Sequence, residues 1–463
     1  MAAVVVGSLF AWHKTHIDYL LAAPLGLVFV GQLIYNYRIL FYALILAIPC
    51  SMHLELGSFS IDTSEPLMLL MTFIFLLNLA AGKQFSRNEK IYPLHIFIFL
   101  LIFWVLITTV TSELQIRSLK FFLAKIWYIA SFVFIADKIV EKPQHFTVIF
   151  WCFLIPLTCG SFITTIIHGV NYGFSFEGGF AAPYYIFTNH VIYGAILVLF
   201  LPYIWYQREN YALGSIPRLI INLCFGINLV GVLLSYGRLA WLCAVVLPII
   251  VFIIKRKWLD KLMYVGVFFL TLGVSYLVKD NNFYKFAPDF TKTIFHEGDF
   301  DAHLSATFSG TDMSGVERFY RWAAAKNMIA ERPVFGFGPS TFNKVYKQYA
   351  EDAFRTYVSD NPEQSTTHNY LLMTCSEQGF MGLFIFAAMI LYMAIRGFKV
   401  YHACKDPENK RIALIVTLSL LMIILQSALN ELIEVDKVGA MFWFNMMMIH
   451  KVEKWEEVAF LPQ

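Results

Sequence analysis

The chain has 463 residues, of which 58% are hydrophobic, 17% aromatic and only 14% charged, with a formal net charge of +3. Soluble domains carry about 25% charged residues, so this composition, with a mean hydropathy of +0.62, excludes a soluble globular enzyme and describes a polytopic membrane protein. So small a net charge gives no reason to expect a nucleic-acid partner.

Met1 to Trp12 is apolar but lacks the basic start and small-residue cleavage site of a secretory leader, so no cleavable signal is expected. Apolar spans follow at 17–35, 38–52, 66–82, 91–110, 117–137, 146–168, 189–206, 217–236, 238–254, 260–278, 369–395, 411–429 and 437–450. Spans 38–52 and 437–450 are short for a bilayer, which gives 12 or 13 crossings. Each must be a helix, because backbone with unmet polar groups cannot cross hydrocarbon. The expected fold is therefore an all-α transmembrane bundle in three parts. Residues 1–278 form a helix bundle, 279–368 a large external loop with amphipathic helices, and 369–463 the C-terminal helices and a cytoplasmic tail.

Charge orients the bundle. Loops 83–90, 138–145, 207–218, 255–261 and 396–411 carry 16 Lys and Arg, whereas the alternate loops 53–65, 111–120, 169–188, 235–238 and 430–437 carry 4. The positive-inside rule puts the first set in the cytoplasm. The long polar segment 279–368, with 22 of the chain's 67 charges, then faces outward. In a Gram-negative cell that is the periplasmic side of the inner membrane. None of the 7 cysteines falls in this segment, which argues against a disulfide framework or a Cys-based zinc site there. The stretch from His296 to His303 has no ligand spacing that suits a metal. Neither metal nor cofactor is expected.

Within the outer segment, Ser314-Gly315-Val316-Glu317 has capping-box spacing and opens a helix to about Glu331, before Pro333. From Ser340 a second amphipathic helix places Phe342, Val345, Tyr346 and Tyr349 on one side, suited to the membrane face or the bundle. Between the two, Pro333 to Pro339 makes a tight connection.

Four places carry candidate chemistry. Arg238, between two spans with almost no loop, is either an interfacial snorkelling side chain or an anion clamp facing the bundle. Arg318 and Arg321 lie on the capped helix with Trp322, four residues after Arg318, on the same face. Paired guanidinium forks suit a diphosphate. His368, in Thr367-His368-Asn369 at the lip of the next span, is the candidate general base, because imidazole accepts a proton near neutral pH. His190, in Thr188-Asn189-His190, is a weaker second histidine site. Glu377, nine residues after His368, cannot reach it by helical spacing and is expected either to be structural or to support a residue of the site.

Taken together these motifs resemble the O-antigen ligase and polymerase family of bacterial envelope transferases. They are Ser235-x-x-Arg238-x-Ala240, Gly315-x-x-Arg318-x-x-x-Trp322, Arg332-Pro333-x-x-Gly336-x-Gly338-x-x-x-Phe342 and His368-Asn369-x-x-Leu372-x-x-x-x-Glu377-x-Gly379-x-x-Gly382. The likeness covers the last half of the chain, with one departure: Gly237 and Leu239 flank Arg238 where relatives often have Ser and Gly. The resemblance implies a metal-independent glycosyltransferase whose donor is a glycan on undecaprenyl diphosphate. The acceptor would be a lipid A-core hydroxyl in a ligase, or another glycan in a polymerase. By the same resemblance Arg238, Arg318 and His368 would be catalytic; Arg321, Trp322, His190 and Asn369 are expected to bind substrate, with membrane lipids as surroundings. A lipid-linked glycan transporter would place charge at the bilayer midplane and show related halves, and neither is seen. A scaffold that only binds partners through the outer segment would not need His368.

Overall fold

In the computed structural model the described residues are 36–56, 59–82, 92–286, 313–354 and 366–458. The predicted first span 17–35, the loop 83–90, the stretch from His296 to His303 and the side chain of Ser314 lie outside them. The architecture is the expected all-α polytopic bundle. Among the described residues nine helices are long and apolar enough to cross a membrane.

In chain order the helices are α1 (Tyr37–Ala47), α2 (Glu65–Ala80), α3 (Pro93–Val110), α4 (Gln115–Ile129), α5 (Pro143–Tyr172), α6 (His190–Gln207), α7 (Ile216–Leu234), α8 (Arg238–Lys255), α9 (Leu259–Val278), α10 (Met313–Glu331), α11 (Tyr370–Ala403), α12 (Pro407–Ser427) and α13 (Asp436–Val458). Helix α4 continues through a π-type stretch, Ala130–Ile135, to Ile139. The predicted spans 38–52 and 66–82 are α1 and α2, and the short span 437–450 is the front of the longer α13. Among the described residues one sheet interrupts the helices: in loop 53–65 two antiparallel strands pair, with His53 opposite Asp62 and Leu56 opposite Phe59.

Burial ranks the helices. Helix α6 is buried on every side from Ile192 to Ile204, and α12 is buried nearly throughout. A helix apolar all round belongs at the centre of a bundle. Helix α12 packs with α6, α11 and α13, and Phe386, Met422, Phe442 and Trp443 belong to the shared core. Helices α7, α8 and α9 instead expose much apolar surface, such as Leu223, Val245, Phe268 and Phe269. Exposed hydrocarbon of this kind suits a lipid-facing rim, where helices have already satisfied their own backbone groups.

Contacts gather the loops into two faces that alternate as the charge pattern requires. On one face Arg38 pairs with Glu141 at 2.6 Å, Lys451 with Asp137 at 3.1 Å, and the Lys405 amide donates to Glu456 at 3.1 Å. On the other, Arg332 pairs with Glu113 at 2.5 Å, and the His368 amide donates to Glu431 at 3.3 Å. Ser64 Oγ donates to Asp436 there at 2.8 Å. If charge bias assigns the second face to the outside, a cysteine introduced at Asp299 should react with an impermeant maleimide in intact cells with a permeabilised outer membrane. One at Lys257 should stay unlabelled. The reverse pattern would remove the basis for an external site.

The described part of the outer segment has its own small core, built from Tyr320, Ala324, Met328, Phe337, Phe342 and Phe354. Helix α10 has the predicted extent. The predicted second helix is shorter: one turn at Phe342–Val345 passes into a 3₁₀ turn at Tyr346–Tyr349. Its apolar side chains face inward as read, but their main partner is α10 rather than the membrane. The cause lies at its start, where Ser340 has φ 61° and the amides of Ser340 and Phe342 donate to the Glu377 carboxylate at 2.8 and 2.9 Å. These bonds fix the turn to α11 instead of leaving it to lie on a bilayer.

Candidate active site

Helix α11 is broken where it receives that turn. Gly379 has φ 69° and ψ −177°, and a Cβ there would sit 1.9 Å from the Val334 carbonyl oxygen. Only glycine accepts both the left-handed φ and so close a backbone. The break frees amides and carbonyls of α11 for the 333–342 connection: Phe380 N–H donates to Pro333 O at 2.8 Å, and Gly338 N–H to Glu377 O at 2.8 Å. Glu377, buried, spends its carboxylate on the turn as described. It is a structural anchor, as its spacing from His368 suggested. From the other side Ser118 Oγ donates to Pro339 O at 2.7 Å and Arg117 to Asn343 at 3.1 Å. The connection is thus clamped between α11 and the start of α4.

This clamp sets α10 over the mouth of the bundle, where Trp322 Nε1 donates to Thr367 O at 2.8 Å. The following turn is firmly held. Asn369 caps α11, its side-chain oxygen accepting from Leu372 N at 2.8 Å, while its amide nitrogen donates to Ala428 O at 3.0 Å. Between these two anchors His368 adopts φ 52°, a left-handed conformation uncommon for a residue with a side chain. Such strain persists only where neighbours over-determine it, and it clusters at functional sites.

His368 meets a carboxylate that the sequence reading did not single out. Its amide donates to Glu431 Oε1 at 3.3 Å, and its Nδ1 lies 3.8 Å from Glu431 Oε2. The second distance is within ion-pair range but too long for a hydrogen bond. Arg321 and Arg318 are electrostatic neighbours of both groups. Burial first, then these two guanidiniums, hold the His368 imidazole down at about 4, so it is neutral and able to accept a proton at working pH. Burial pushes the Glu431 carboxyl up to about 7, against the lowering pull of the His368 amide and the same two arginines. A signal for Glu431 did exist: it is an acidic residue at the end of an apolar span, in a loop assigned to the same face as His368.

The other predicted residues are placed as follows. Arg321 pairs with Glu317 one turn back at 3.2 Å. Trp322 packs edge-on against Phe319 at 5.4 Å and, with Asn369, holds the His368 turn. Arg238 opens α8 after a turn in which Tyr236 has φ 48° and Ser235 Oγ accepts from Gly237 N at 3.2 Å. A Cβ on Gly194 of α6 would lie 2.7 Å from Ser235 Oγ. That close approach brings the start of α6 to the turn, and His190 has Arg238 as its electrostatic neighbour and Phe180 edge-on at 4.3 Å. Asn189 caps α6 as Asn369 caps α11, accepting from Ile192 N at 2.8 Å. The structure therefore places Arg318 and Arg321 by His368, and Arg238 by His190.

An imidazole held neutral beside guanidiniums, at the wet end of a membrane bundle, can deprotonate a hydroxyl while cations receive a departing anion. Residues 223–387 match the family model described as O-antigen ligase. The matched region runs from α7 into α11 and includes Arg238, Arg318, Arg321, Trp322, His368 and Asn369. His190 and Glu431 lie outside it. No curated protein matches the chain.

Proposed function

We propose, on the premise that residues 223–387 are of the O-antigen ligase family, that this multi-pass membrane protein is a metal-independent glycosyltransferase. It moves a glycan from undecaprenyl diphosphate to a hydroxyl of lipid A-core, at the periplasmic face of the inner membrane. The observation that carries the reading is the held turn at His368, with Arg318, Arg321 and Glu431 around its imidazole. It is the arrangement a hydroxyl nucleophile and an anionic leaving group both need.

In the proposed reaction the His368 imidazole takes the proton of the acceptor hydroxyl. The oxygen forms a bond to the anomeric carbon from the face opposite the leaving group, so configuration inverts. The glycosyl C–O bond to the diphosphate breaks, and its electron pair leaves on undecaprenyl diphosphate. Arg238 and Arg318 neutralise that developing charge, with Arg321 as a further donor. Glu431, as a carboxylate, stabilises the imidazolium, the part the buried acid plays in a Ser-His-Asp triad. The lipid tail remains along the apolar helices, which accounts for building the enzyme in a membrane. The three parts proposed for the chain follow this division: bundle 1–278, outer segment 279–368 ending on the base His368, and 369–463 carrying its carboxylate partner Glu431.

The test is deletion of the gene in its host and electrophoresis of the lipopolysaccharide. Loss of all long chains from the core, with polymer retained on the lipid carrier, is the ligase result. A single repeat unit on the core would make the enzyme a polymerase of the same family. Unchanged lipopolysaccharide and capsule would overturn both.

A further inference from the structure

A second buried polar group contacts the two segments that carry His368 and Glu431 and has no part in the reaction as drawn. Lys125, on α4, is 5% exposed. Its Nζ lies 2.5 Å from Glu434 Oε1 and 3.2 Å from the Tyr370 hydroxyl. The Tyr370 hydroxyl donates to the same Glu434 oxygen. Tyr370 follows His368 by two residues, and Glu434 follows Glu431 by three, across the 3₁₀ turn Leu432–Glu434. The two segments that carry the reactive pair are therefore joined twice, once by His368 and Glu431 and again by Tyr370 and Glu434.

We propose that Lys125 is a positioning residue that acts through Glu434 and Tyr370 to hold Glu431 against His368. The proposal rests on the functional reading above. Glu431 and Glu434 are carboxylates one turn apart in a poorly hydrated place, where two like charges favour protonation or separation. A lysine ammonium is a compact charge able to offset one of them. Lys125 engages Glu434 and leaves Glu431 for the imidazole. Glu377, a buried carboxylate on α11, is already committed to the amides of Ser340 and Phe342. The lysine also sits 5.0 Å from the Phe121 ring centroid and 5.8 Å from that of Tyr370, so its ammonium is fixed by aromatic faces as well as by the carboxylate.

The experiment uses the full chain in detergent or nanodiscs. It reads glycan transfer from the lipid-linked donor, and carbethoxylation of His368 by diethyl pyrocarbonate, followed by mass spectrometry. Lys125→Met should lower kcat about ten- to a hundred-fold, the scale of losing a hydrogen bond to a charged group, with KM for the donor unchanged. His368 should be modified faster, because the 430–436 loop is no longer pinned over it. Lys125→Arg should recover part of kcat and slow the modification again. A folded Lys125→Met with unchanged kcat and unchanged His368 modification overturns the proposal, and so does a rise in KM with kcat intact. If Lys125→Met does not fold, Tyr370→Phe decides by the same two readouts. A wild-type protein without transferase activity, in which Lys125→Met still changes His368 modification, would sink the functional reading and leave the coupling standing.

Discussion

His368→Gln is expected to abolish turnover while the protein still folds and inserts. A positioned general base contributes about a hundred- to ten-thousand-fold, and an amide keeps hydrogen bonds but cannot take the proton. His368→Ala should behave alike. Neither change should cost much stability, because the side chain is one-third exposed and the turn is held by its backbone amide, Trp322 and Asn369. The pH profile separates His368 from its partner. The imidazole, lowered to about 4, stays neutral on descending from neutral pH until near that value. Glu431, raised to about 7, loses its charge on descending through that value and with it the ability to stabilise the imidazolium. Wild-type kcat/KM should therefore fall as pH drops through about 7. Glu431→Gln should be slower and flat across that range, falling only near the imidazole value. If His368→Gln retains turnover within about tenfold, less than any general base contributes, His368 positions substrate instead. His190 would then be the next base to test.

Arg318→Ala and Arg238→Ala should each cut turnover by about two to three orders of magnitude, the scale of removing one preorganised charge-stabilising group. Lysine should rescue only partly, since it retains the charge and loses the planar fork that meets two phosphate oxygens. The two positions should differ in one respect. Arg318 neighbours the base, so its loss also lets the imidazole pKa rise, and the acid side of the Arg318→Ala profile should change shape. Arg238 neighbours His190, and its alanine variant should lower the rate without altering that profile. Measuring kcat and kcat/KM against pH for both variants checks this. Near-wild-type turnover in either alanine variant would return that arginine to a structural role.

The spans and their alternation were legible because hydrocarbon leaves the chain few choices. About 20 apolar residues without charge must be a helix, and basic loops fall on alternate connections. As candidates, Arg238 and His368 stood out for a related reason, since an ionisable side chain near hydrocarbon is costly, and Arg318 because it shares a helix face with Trp322. The strand pair within 53–62 was not legible, because its four-residue strands resemble any polar loop. The shortening of the helix after Ser340 was hidden as well, since periodicity reports which side chains are apolar but not what they will meet.

What the sequence determined by itself was the class of protein, its crossings and the chemical types available at one face. What the tertiary structure decided was which of those groups meet. Glu431 lies 63 residues beyond His368, and Lys125 lies 309 residues before Glu434. No local pattern links such pairs. They are joined because α4, α11 and the loop between α12 and α13 converge at one end of the bundle. That convergence depends on helix packing and the break at Gly379, which act between elements and leave no periodic trace within any one of them.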